Sequence, residues 1–344
     1  TQAAVLVEAG KPLVIAELEI PALKSGQVLV QVAFSGVCHT QILECRGYRG
    51  EDPFLPHCLG HEGSGVVLET GPGVKKVKAG EGVILSWMKG SGLEAGGTVY
   101  RWGERGVNAG GITTFSRCSV ISENRLTALP KSIPMPLAAM LGCAIPTGFG
   151  SVINTARVRS GQSLAVFGAG GIGLCAIAAA KLKGCVPIIA VDMREDRLDL
   201  ARGLGATQGL NASGLDVVAE IRRICPGGVD FAFDATGRPS VMGQALLCVR
   251  NRGGAAVIIG NARHGEKLEI DPMQLNLGKR ILGTWGGDNR PDRDFADYCE
   301  VIRSGRIDLK SLIAKTYPLM GVNEAIDDLE GGRAVRPLID LGSE

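Results

Sequence analysis

The sequence lacks several features that mark whole classes of protein. Aromatic side chains make up only 4% of its 344 residues and the net charge is only +2, so nothing favours a nucleic-acid or membrane-surface partner. No apolar run approaches the ~20 residues of a membrane-spanning helix. The ten cysteines form no C-x-x-C pair, and residues 3–7 at the start predict a strand rather than a signal peptide. We therefore expect a cytoplasmic protein.

Glycine and apolar residues are abundant instead. Fifty glycines and an apolar content of 45% are typical of a turn-rich α/β protein, and 344 residues suggest two domains. Residues 1–34 and the glycine-punctuated stretch that follows them predict short strands. Residues 86–112 indicate an irregular, glycine-rich segment, and residues 114–120 a further strand. From about residue 163 to residue 284 strands and helices alternate, which predicts a parallel, doubly wound sheet.

Residues 163–192 predict a βαβ unit that binds a dinucleotide. An apolar run leads into Gly168-Ala-Gly170-Gly-Ile-Gly173, an Ala-rich helix follows, and a second strand ends at Asp192. Gly168 permits a tight turn, Gly170 lets the backbone approach a pyrophosphate at the positive end of the helix, and Gly173 lets that helix pack closely on the strand. The residues predicted to bind the dinucleotide in this turn are Gly168, Gly170, Gly171, Ile172 and Gly173.

Asp192 favours one of the two nicotinamide dinucleotides. A carboxylate at the end of the second strand can accept hydrogen bonds from both ribose hydroxyls, whereas it would repel a 2′-phosphate. We therefore expect NAD rather than NADP. The alternative is a glycine-rich turn of an α/β protein that binds no nucleotide. It is disfavoured because strand, helix, second strand and terminal aspartate occur together.

Cys38, His61 and Cys143 are candidate metal ligands. Two thiolates and one imidazole, with a fourth position open, form one of the arrangements that hold a catalytic zinc. The three residues lie far apart in the sequence. Spacing alone therefore does not separate this interpretation from two buried cysteines and a hydrogen-bonded loop histidine.

The segments around these residues resemble the ligand motifs of the zinc-dependent medium-chain alcohol dehydrogenases. The motifs are Gly36-Val-Cys38-His39-Thr40, Gly60-His61-Glu62-Gly63-Ser-Gly65 and Gly142-Cys143-Ala-Ile-Pro-Thr147-Gly148. The resemblance covers nearly the whole chain in the order of the family, with the nucleotide motif where the family has it. It implies an α/β protein with two domains: a GroES-like catalytic β domain of residues 1–145 and 286–344, and a Rossmann NAD-binding domain of residues 146–285.

The resemblance also implies catalytic roles for single residues. Cys38, His61 and Cys143 would hold one zinc ion per subunit, and Glu62 would be a neighbouring carboxylate that can approach the metal when ligands exchange. Thr40 would bond the substrate oxygen. The implied reaction is hydride transfer between an alcohol and NAD, or from reduced NAD to an aldehyde or ketone.

Three more residues match cofactor-binding positions of the family. Thr147 falls where the family lines the nicotinamide site, and Arg336 matches a basic residue near the pyrophosphate. Arg197 would lie near the adenosine ribose, and a solvated charge on a helix is an equal alternative for it. We expect a homodimer or homotetramer, with a small alcohol or carbonyl compound as the bound substrate.

The chain departs from the family pattern at three places. Many members have a second proton-relay histidine where this chain has Leu43, so we expect the alcohol proton to leave through water or His39. Gln41 replaces the usual aspartate, which predicts weaker hydrogen bonding around the metal site. Family members with a structural zinc have four cysteines in the segment that corresponds to residues 86–112, and this chain has none there.

Two questions stay open at the level of sequence. The first is the activity, because a zinc-free quinone or enoyl reductase of the same superfamily and a non-enzymatic NAD-binding protein are alternatives. The second is the substrate. If aromatic and basic residues near the first ligand and in residues 86–112 line the mouth of the site, a polar or anionic alcohol is favoured. Otherwise they are surface side chains. These residues are Arg46, Tyr48, Arg49, Trp87, Tyr100, Arg101, Trp102 and Arg105.

Overall fold

Short apolar runs broken by glycine form strands in the first part of the chain. The computed structural model describes residues 1–313 and 315–342. Its first elements are β1 (Gln2–Leu6), β2 (Val14–Glu17), β3 (Gln27–Gly36), α1 (His39–Cys45), β4 (His57–Cys58), β5 (Glu62–Thr70), β6 (Gly82–Ser86), β7 (Thr98–Trp102), β8 (Arg105–Gly110), β9 (Cys118–Ser122), β10 (Leu126–Ala128) and α2 (Met135–Met140).

Strands and helices alternate in the middle of the chain, as predicted. These elements are α3 (Ala144–Gly150), β11 (Leu164–Phe167), α4 (Gly171–Leu182), β12 (Ile188–Asp192), α5 (Glu195–Leu204), β13 (Gln208–Asn211), α6 (Val217–Ile224), β14 (Phe231–Asp234), α7 (Pro239–Cys248), β15 (Ala255–Ile258), α8 (Met273–Asn276) and β16 (Arg280–Gly283). The last elements are α9 (Pro291–Ser304), β17 (Thr316–Pro318), α10 (Val322–Glu330) and β18 (Leu338–Asp340).

The described chain forms two compact units. The first consists of Thr1–Cys143, Arg290–Arg306 and Lys310–Glu344, and the second of Ala144–Asn289 and Ile307–Leu309. None of the helices in the described residues is long and apolar enough to cross a bilayer.

The first unit is built on two β-sheets. One has the strand order β2-β1-β4-β8-β7, and the other has the order β10-β6-β5-β3-β18-β17, with β9 also paired to β3. The core contains Val30 and Val32 of β3, Val67 of β5 and Leu85 of β6, all buried at 0–1% exposure. Because β3 and β5 pair along their length, the residues at their ends are held rigidly, and the candidate site lies there.

The second unit contains a six-stranded parallel sheet. Its strand order is β13-β12-β11-β14-β15-β16, which is the doubly wound order of a Rossmann fold, with the first strand in the middle. Strand β11 is fully buried, as are most residues of α4. The predicted doubly wound parallel sheet is therefore confirmed.

Residues 86–112 are more regular than we predicted. Strands β7 and β8 form an antiparallel hairpin in which Trp102 pairs with Arg105. The two-residue turn between them contains Gly103, whose φ of 59° is the left-handed conformation that such a turn requires. The alternation of Thr98 to Trp102 and the glycine in the turn were the available signals for a hairpin. The strand predicted over residues 114–120 begins later, at Cys118.

Candidate active site

The three predicted metal ligands lie together although long stretches of sequence separate them. Cys38 precedes α1, His61 precedes β5, and Cys143 follows α2. Their ligand atoms all lie within 4.8 Å of one another. Both cysteines are buried and the histidine is half-buried. Two thiolates and one imidazole are the donor set of a catalytic zinc with an open fourth position, so these residues fit the predicted metal.

The two cysteines have pKa values shifted in opposite directions. A hydrogen bond from the Cys143 thiol holds the pKa of Cys38 well below its usual value against the effect of burial, and the charge of Arg336 adds to this. The same hydrogen bond, together with burial, raises the pKa of Cys143. Burial alone would lower the pKa of His61, but the hydrogen bond and charge of Cys38 prevail and raise it. A metal ion would therefore meet one thiolate and displace the other thiol proton.

Two glycines allow the chain to come close to this cluster. A Cβ atom at Gly36 would overlap the carboxylate of Glu62, and one at Gly142 would overlap the carbonyl oxygen of Leu85. Ser86 donates from its hydroxyl to the carbonyl oxygen of Gly142 at 2.7 Å. Sequence reasoning gave these residues no role. The signal that could have found the two glycines is their place within two positions of a predicted ligand.

Glu62 and Arg336 form a buried ion pair behind the cluster. Glu62 is fully buried, and the Nη2 atom of Arg336, which is 3% exposed, contacts its Oε1 atom. Burial would lower the pKa of Arg336, but the charges of Glu62 and the two cysteines prevail and raise it. The buried Nε atom of Arg336 has no hydrogen-bond partner within the described residues. This donor can serve an anionic group, which is the role that the resemblance implies.

Gln41 bridges two of the predicted ligands. Its Oε1 atom accepts the backbone N–H of Cys38 at 2.9 Å, and its Nε2 atom lies 2.7 Å from Nδ1 of His61. Its side chain is buried, with 1% exposure. Both hydrogen bonds are thus present, and their weakness relative to those of an aspartate stays a prediction. The ring of His61 also packs edge-on against Trp87, with the ring centroids 6.5 Å apart.

Thr40 lies beside the cluster, whereas no histidine takes the missing relay position. The Oγ1 atom of Thr40 is 3.8 Å from the Cys38 sulfur. Leu43 is buried in the core at 5% exposure, and His39 is exposed. The hydroxyl is thus positioned to bond a group on the cluster, and His39 is in contact with solvent.

A cavity of about 440 Å³ extends from His61 between two loops of the first unit. Its wall includes Gln41 and Glu44 of α1, Arg49 and Asn108. Nη1 of Arg49 donates to Oε1 of Glu44 at 2.9 Å, and burial raises the pKa of Glu44. The volume is within the range of small-molecule sites. The wall of this cavity therefore includes one predicted metal ligand, His61, and the ion pair of Arg49 with Glu44.

The cavity wall is held by its own hydrogen bonds. Asp52 accepts from Nε2 of His57 and from the backbone N–H of Phe54, both at 2.9 Å. Asn108 donates from Nδ2 to the carbonyl oxygen of Phe54 at 2.8 Å. These contacts hold the loop before His57.

Several of the aromatic and basic residues considered for the mouth of the site lie in the core or in surface ion pairs. Tyr100 is buried in the core, at 1% exposure. Arg101 pairs with Glu19, and Arg46 pairs with Asp327. For the residues of β7 this follows from a regular strand whose side chains alternate between the core and the surface. Arg49 does line the cavity, whereas its lining does not include Tyr48, Trp87, Trp102 or Arg105.

The predicted dinucleotide turn joins β11 to α4. Gly168 has a φ of 89°, Gly170 is the N-cap of α4, and the helix begins at Gly171. A Cβ atom at Gly173 would overlap the carbonyl oxygen of Gly168, whereas one at Gly170 would meet nothing within 4 Å. The packing role of Gly173 and the open space at Gly170 agree with the roles assigned from sequence.

The carboxylate of Asp192 accepts two backbone hydrogen bonds, one of them from this turn. Its Oδ2 atom accepts the backbone N–H of Ala169 at 2.7 Å, and Oδ1 accepts that of Arg194 at 3.1 Å.

Two further predicted cofactor-binding residues are buried. Arg197 is 6% exposed, and burial lowers its pKa. It is therefore not the solvated helix charge that was the alternative. The buried Oγ1 atom of Thr147 has no hydrogen-bond partner within the described residues. This hydroxyl is therefore available for a hydrogen bond to a cofactor.

Known proteins match both units. Residues 24–131 match the model of the alcohol dehydrogenase GroES-like domain, and residues 171–304 match that of the zinc-binding dehydrogenase family. The S-(hydroxymethyl)glutathione dehydrogenase of Paracoccus denitrificans is 34% identical to this chain over an alignment of 373 positions, which covers 98% of this chain and 99% of that protein.

This chain belongs to the zinc-dependent medium-chain alcohol dehydrogenase family. A crystallised alcohol dehydrogenase zinc-binding domain protein from Burkholderia ambifaria is 34% identical, with a TM-score of 0.88 over 99% of both chains. The benzyl alcohol dehydrogenase of Acinetobacter calcoaceticus is 30% identical, with a TM-score of 0.87 over 98% of both. The predicted family, its GroES-like and Rossmann folds, and its dependence on zinc and NAD are therefore confirmed. These findings support the zinc-dependent dehydrogenase over the two alternatives, a zinc-free reductase and a non-enzymatic protein.

In this dehydrogenase a carboxylate organises the start of the segment without cysteine. Glu123, which is 2% exposed, accepts the backbone N–H groups of Lys75, Lys76 and Leu93 at 2.6–2.7 Å. Burial alone would raise its pKa, but these three donors prevail and lower it. Sequence reasoning missed Glu123 because its partners lie 30 to 48 residues away in the chain.

Proposed function

We propose that this chain oxidises a small polar alcohol with NAD, and reduces the corresponding aldehyde or ketone in reverse, at a zinc ion held by Cys38, His61 and Cys143. The reaction is of the class EC 1.1.1.-. The observation that carries the proposal is the approach of the three ligand atoms to within 4.8 Å of one another. A cavity whose wall includes one of them, His61, has the volume for a small molecule.

The residues of the chain would divide the chemistry. A zinc ion acts as a Lewis acid that lowers the pKa of an alcohol, and two thiolates cancel its charge so that the site tolerates burial. Thr40 would accept a hydrogen bond from the substrate hydroxyl and pass the proton on, since a threonine hydroxyl is too weak a base to retain it. Oxidation of the alcohol would release a hydride, for which bound NAD would be the acceptor, and a proton, which would reach solvent. Glu62, held by Arg336, would sit behind the metal and approach it during ligand exchange.

Cofactor binding would use the turn between β11 and α4. The predicted cofactor-binding residues are Gly168, Gly170, Gly171, Ile172, Gly173, Asp192, Thr147, Arg197 and Arg336. The hydroxyl of Thr147 and the Nε atom of Arg336 support these assignments, because each is buried and finds no partner within the described residues. A buried donor without a partner is costly unless a ligand satisfies it.

The cavity supports a polar substrate over an anionic one. Glu44, Glu51 and Asp52 contribute three carboxylates to its wall, against the guanidinium of Arg49 and the imidazole of His57. An acid group on the substrate would meet this excess of negative charge, whereas hydroxyl groups can donate to the carboxylates and accept from Arg49. We therefore propose a polar, uncharged alcohol.

The remaining assignments concern the whole protein. We propose that residues 1–145 with 286–344 form the catalytic domain and residues 146–285 the NAD-binding domain. We also propose one zinc ion per subunit, a homodimer or homotetramer, and a cytoplasmic location. The absence of cysteine from residues 86–112 supports the zinc count.

Elemental analysis combined with a cofactor-dependent absorbance assay tests the proposed function. We expect one zinc per chain and NAD-dependent oxidation of polyhydroxylated or ether-containing alcohols in preference to hydroxy acids of the same length. Two tightly held zinc ions per subunit would overturn the metal assignment. Turnover of no alcohol or carbonyl compound by the zinc-loaded protein would overturn the activity.

A further inference from the structure

Gln41 holds a central place in the predicted metal site. Its single side chain contacts the backbone of Cys38 through Oε1 and the ring of His61 through Nε2. The residue is the third of α1, and Cys38 is the N-cap of that helix. Gln41 therefore links the start of the helix, which carries one ligand, to the segment before β5, which carries another.

The hydrogen-bond capacity of an amide limits what Gln41 can do there. A glutamine amide offers one acceptor oxygen and one NH₂ donor group. The oxygen already serves the N–H of Cys38, so the NH₂ group faces Nδ1 of His61. Nδ1 of His61 must then accept this hydrogen bond with its lone pair, which leaves the proton of the neutral imidazole on Nε2 of His61.

A bound metal ion requires the other tautomer of the His61 ring. Because Nδ1 faces Gln41, Nε2 is the nitrogen left for a metal ion. A neutral histidine that binds a metal through Nε2 needs its lone pair there and carries its proton on Nδ1, where it donates to a carboxylate, a carbonyl or water. The amide must therefore turn its oxygen toward Nδ1, and one oxygen then has to serve both His61 and Cys38.

We infer that Gln41 is a positioning residue that aligns Cys38 and His61 and that sets the zinc affinity below what a carboxylate in its place would give. A carboxylate has two acceptor oxygens, one for each N–H group, whereas the amide has one. The consequence is a zinc ion that exchanges more readily. The inference rests on the zinc site of the proposed function.

Zinc dissociation constants of three proteins test this inference. They are measured for the full chain by competition with a chromogenic chelator. Gln41→Leu removes both bonds, so we expect its dissociation constant to rise by about 10–100-fold, as is usual for lost partners of metal ligands. Gln41→Glu keeps the size of the side chain and provides two acceptors, so we expect its dissociation constant to fall about tenfold.

Gln27 offers a matched control in the same unit. It is also a buried glutamine, with 3% exposure. Its Oε1 atom accepts the backbone N–H of Lys24 at 2.8 Å, and its Nε2 atom donates to Thr98 at 3.1 Å. Gln27→Leu removes the same two kinds of bond away from the metal ligands. We expect it to lower the stability of the protein and leave the zinc dissociation constant unchanged.

Cobalt substitution separates positioning from general stability. The visible spectrum of cobalt(II) reports the geometry of its ligands, so Gln41→Leu should change it and Gln27→Leu should not. Equal zinc affinities of Gln41→Leu and Gln27→Leu, or a Gln41→Glu protein that binds zinc no more tightly than wild type, would overturn the inference. If Gln41→Leu does not fold, Gln41→Glu alone decides. A wild-type protein that binds no zinc overturns the proposed function as well, whereas a zinc-binding protein without turnover overturns the activity alone.

Discussion

The two units of this chain build their sites in different ways. The second unit forms its dinucleotide turn from one continuous stretch, in which β11, three residues of loop and α4 follow one another. The first unit collects its candidate metal site from three distant segments, and the ion pair behind it joins residues 274 positions apart. The continuous site follows from local chain geometry, whereas the dispersed site exists only when the whole unit has folded.

This difference predicts different responses to substitution. In the dispersed site the ligands act as a set, so the loss of one removes the function of all. In the continuous site each glycine has its own neighbours, so binding and stability can be changed one at a time. Five predictions test the contrast, beginning with the largest effect.

Cys143→Ala should abolish metal binding and turnover together. Loss of one thiolate leaves two ligands, and the several kcal/mol of charge stabilisation that a metal supplies would lower turnover by at least about 1,000-fold. The double change Cys38→Ala with Cys143→Ala should be no worse than either single change. The measurements are zinc content and steady-state rate. Cys45→Ala is the control, because Cys45 is equally buried but lies outside the cluster. Wild-type zinc content in Cys143→Ala would contradict the ligand assignment.

Thr40→Val should lower kcat by at least about 100-fold, because it keeps the shape of the side chain and removes the proton path. Thr40→Ser should retain much of the activity. The loss should appear in kcat rather than only in KM, since the hydroxyl matters most as the proton leaves. Leu43→His provides the converse measurement: it should speed proton release near neutral pH if a relay through the cofactor ribose operates, and change nothing if water already serves the site. Normal turnover of Thr40→Val with zinc and NAD bound would show that the proton leaves by another route, and His39 would be tested next.

Two alanine substitutions should separate packing from binding in the nucleotide turn. In Gly173→Ala the new methyl group would overlap the carbonyl oxygen of Gly168, so the free energy of unfolding should fall by about 1–3 kcal/mol. In Gly170→Ala the methyl group meets no protein atom within 4 Å, so stability should hold while NAD affinity falls. Thermal unfolding and NAD titration of both variants are the measurements. Equal losses of stability would remove the distinction between the two positions.

The nucleotide turn could be predicted from the sequence in more detail than the metal site. The reason is again the distance along the chain between the residues that form each site. The βαβ unit could be predicted almost to its boundaries, because apolar periodicity and the positions of Gly168 and Asp192 are local signals. The hairpin of β7 and β8 was missed although its alternation and its glycine turn were visible. The bonds of Gln41 and the pairing of Glu62 with Arg336 could not be predicted, because they depend on which distant segments the sheets bring together.

Asp192→Asn should shift the preference between NAD and NADP by about tenfold toward NADP. The substitution removes the negative charge that would repel a 2′-phosphate, and 1.4 kcal/mol corresponds to about tenfold. Asparagine keeps an oxygen that can accept the N–H of Ala169, so the turn should stay intact. Asp192→Ser removes that bond as well and should lower NAD affinity further. Steady-state kinetics with both cofactors measure the ratio, and equal efficiency with NADP in the wild-type protein would refute the assignment.

The smallest effect concerns Glu123, a second dispersed arrangement in the first unit that needs no metal. Its carboxylate joins three backbone N–H groups from two segments. Glu123→Gln leaves one acceptor oxygen and turns an NH₂ group toward a donor, so the free energy of unfolding should fall by about 1 kcal/mol at neutral pH.

The contribution of Glu123 should depend on pH with a definite sign. These N–H groups lower the pKa of Glu123 below its ordinary value of 4.5. Its stabilisation is therefore complete above that ordinary value and is lost as the pH falls through the lower value of the folded state. The difference between wild type and Glu123→Gln should shrink in acid. Urea unfolding at several pH values measures this difference, and amide hydrogen exchange at Leu93 shows whether the loss is local. Glu94→Gln is the control, because Glu94 is an exposed carboxylate of the same segment whose ion pair with Lys89 lies at the surface. If both variants behave alike at every pH, burial and the three donors give Glu123 no special role, and residues 86–112 are organised by other contacts.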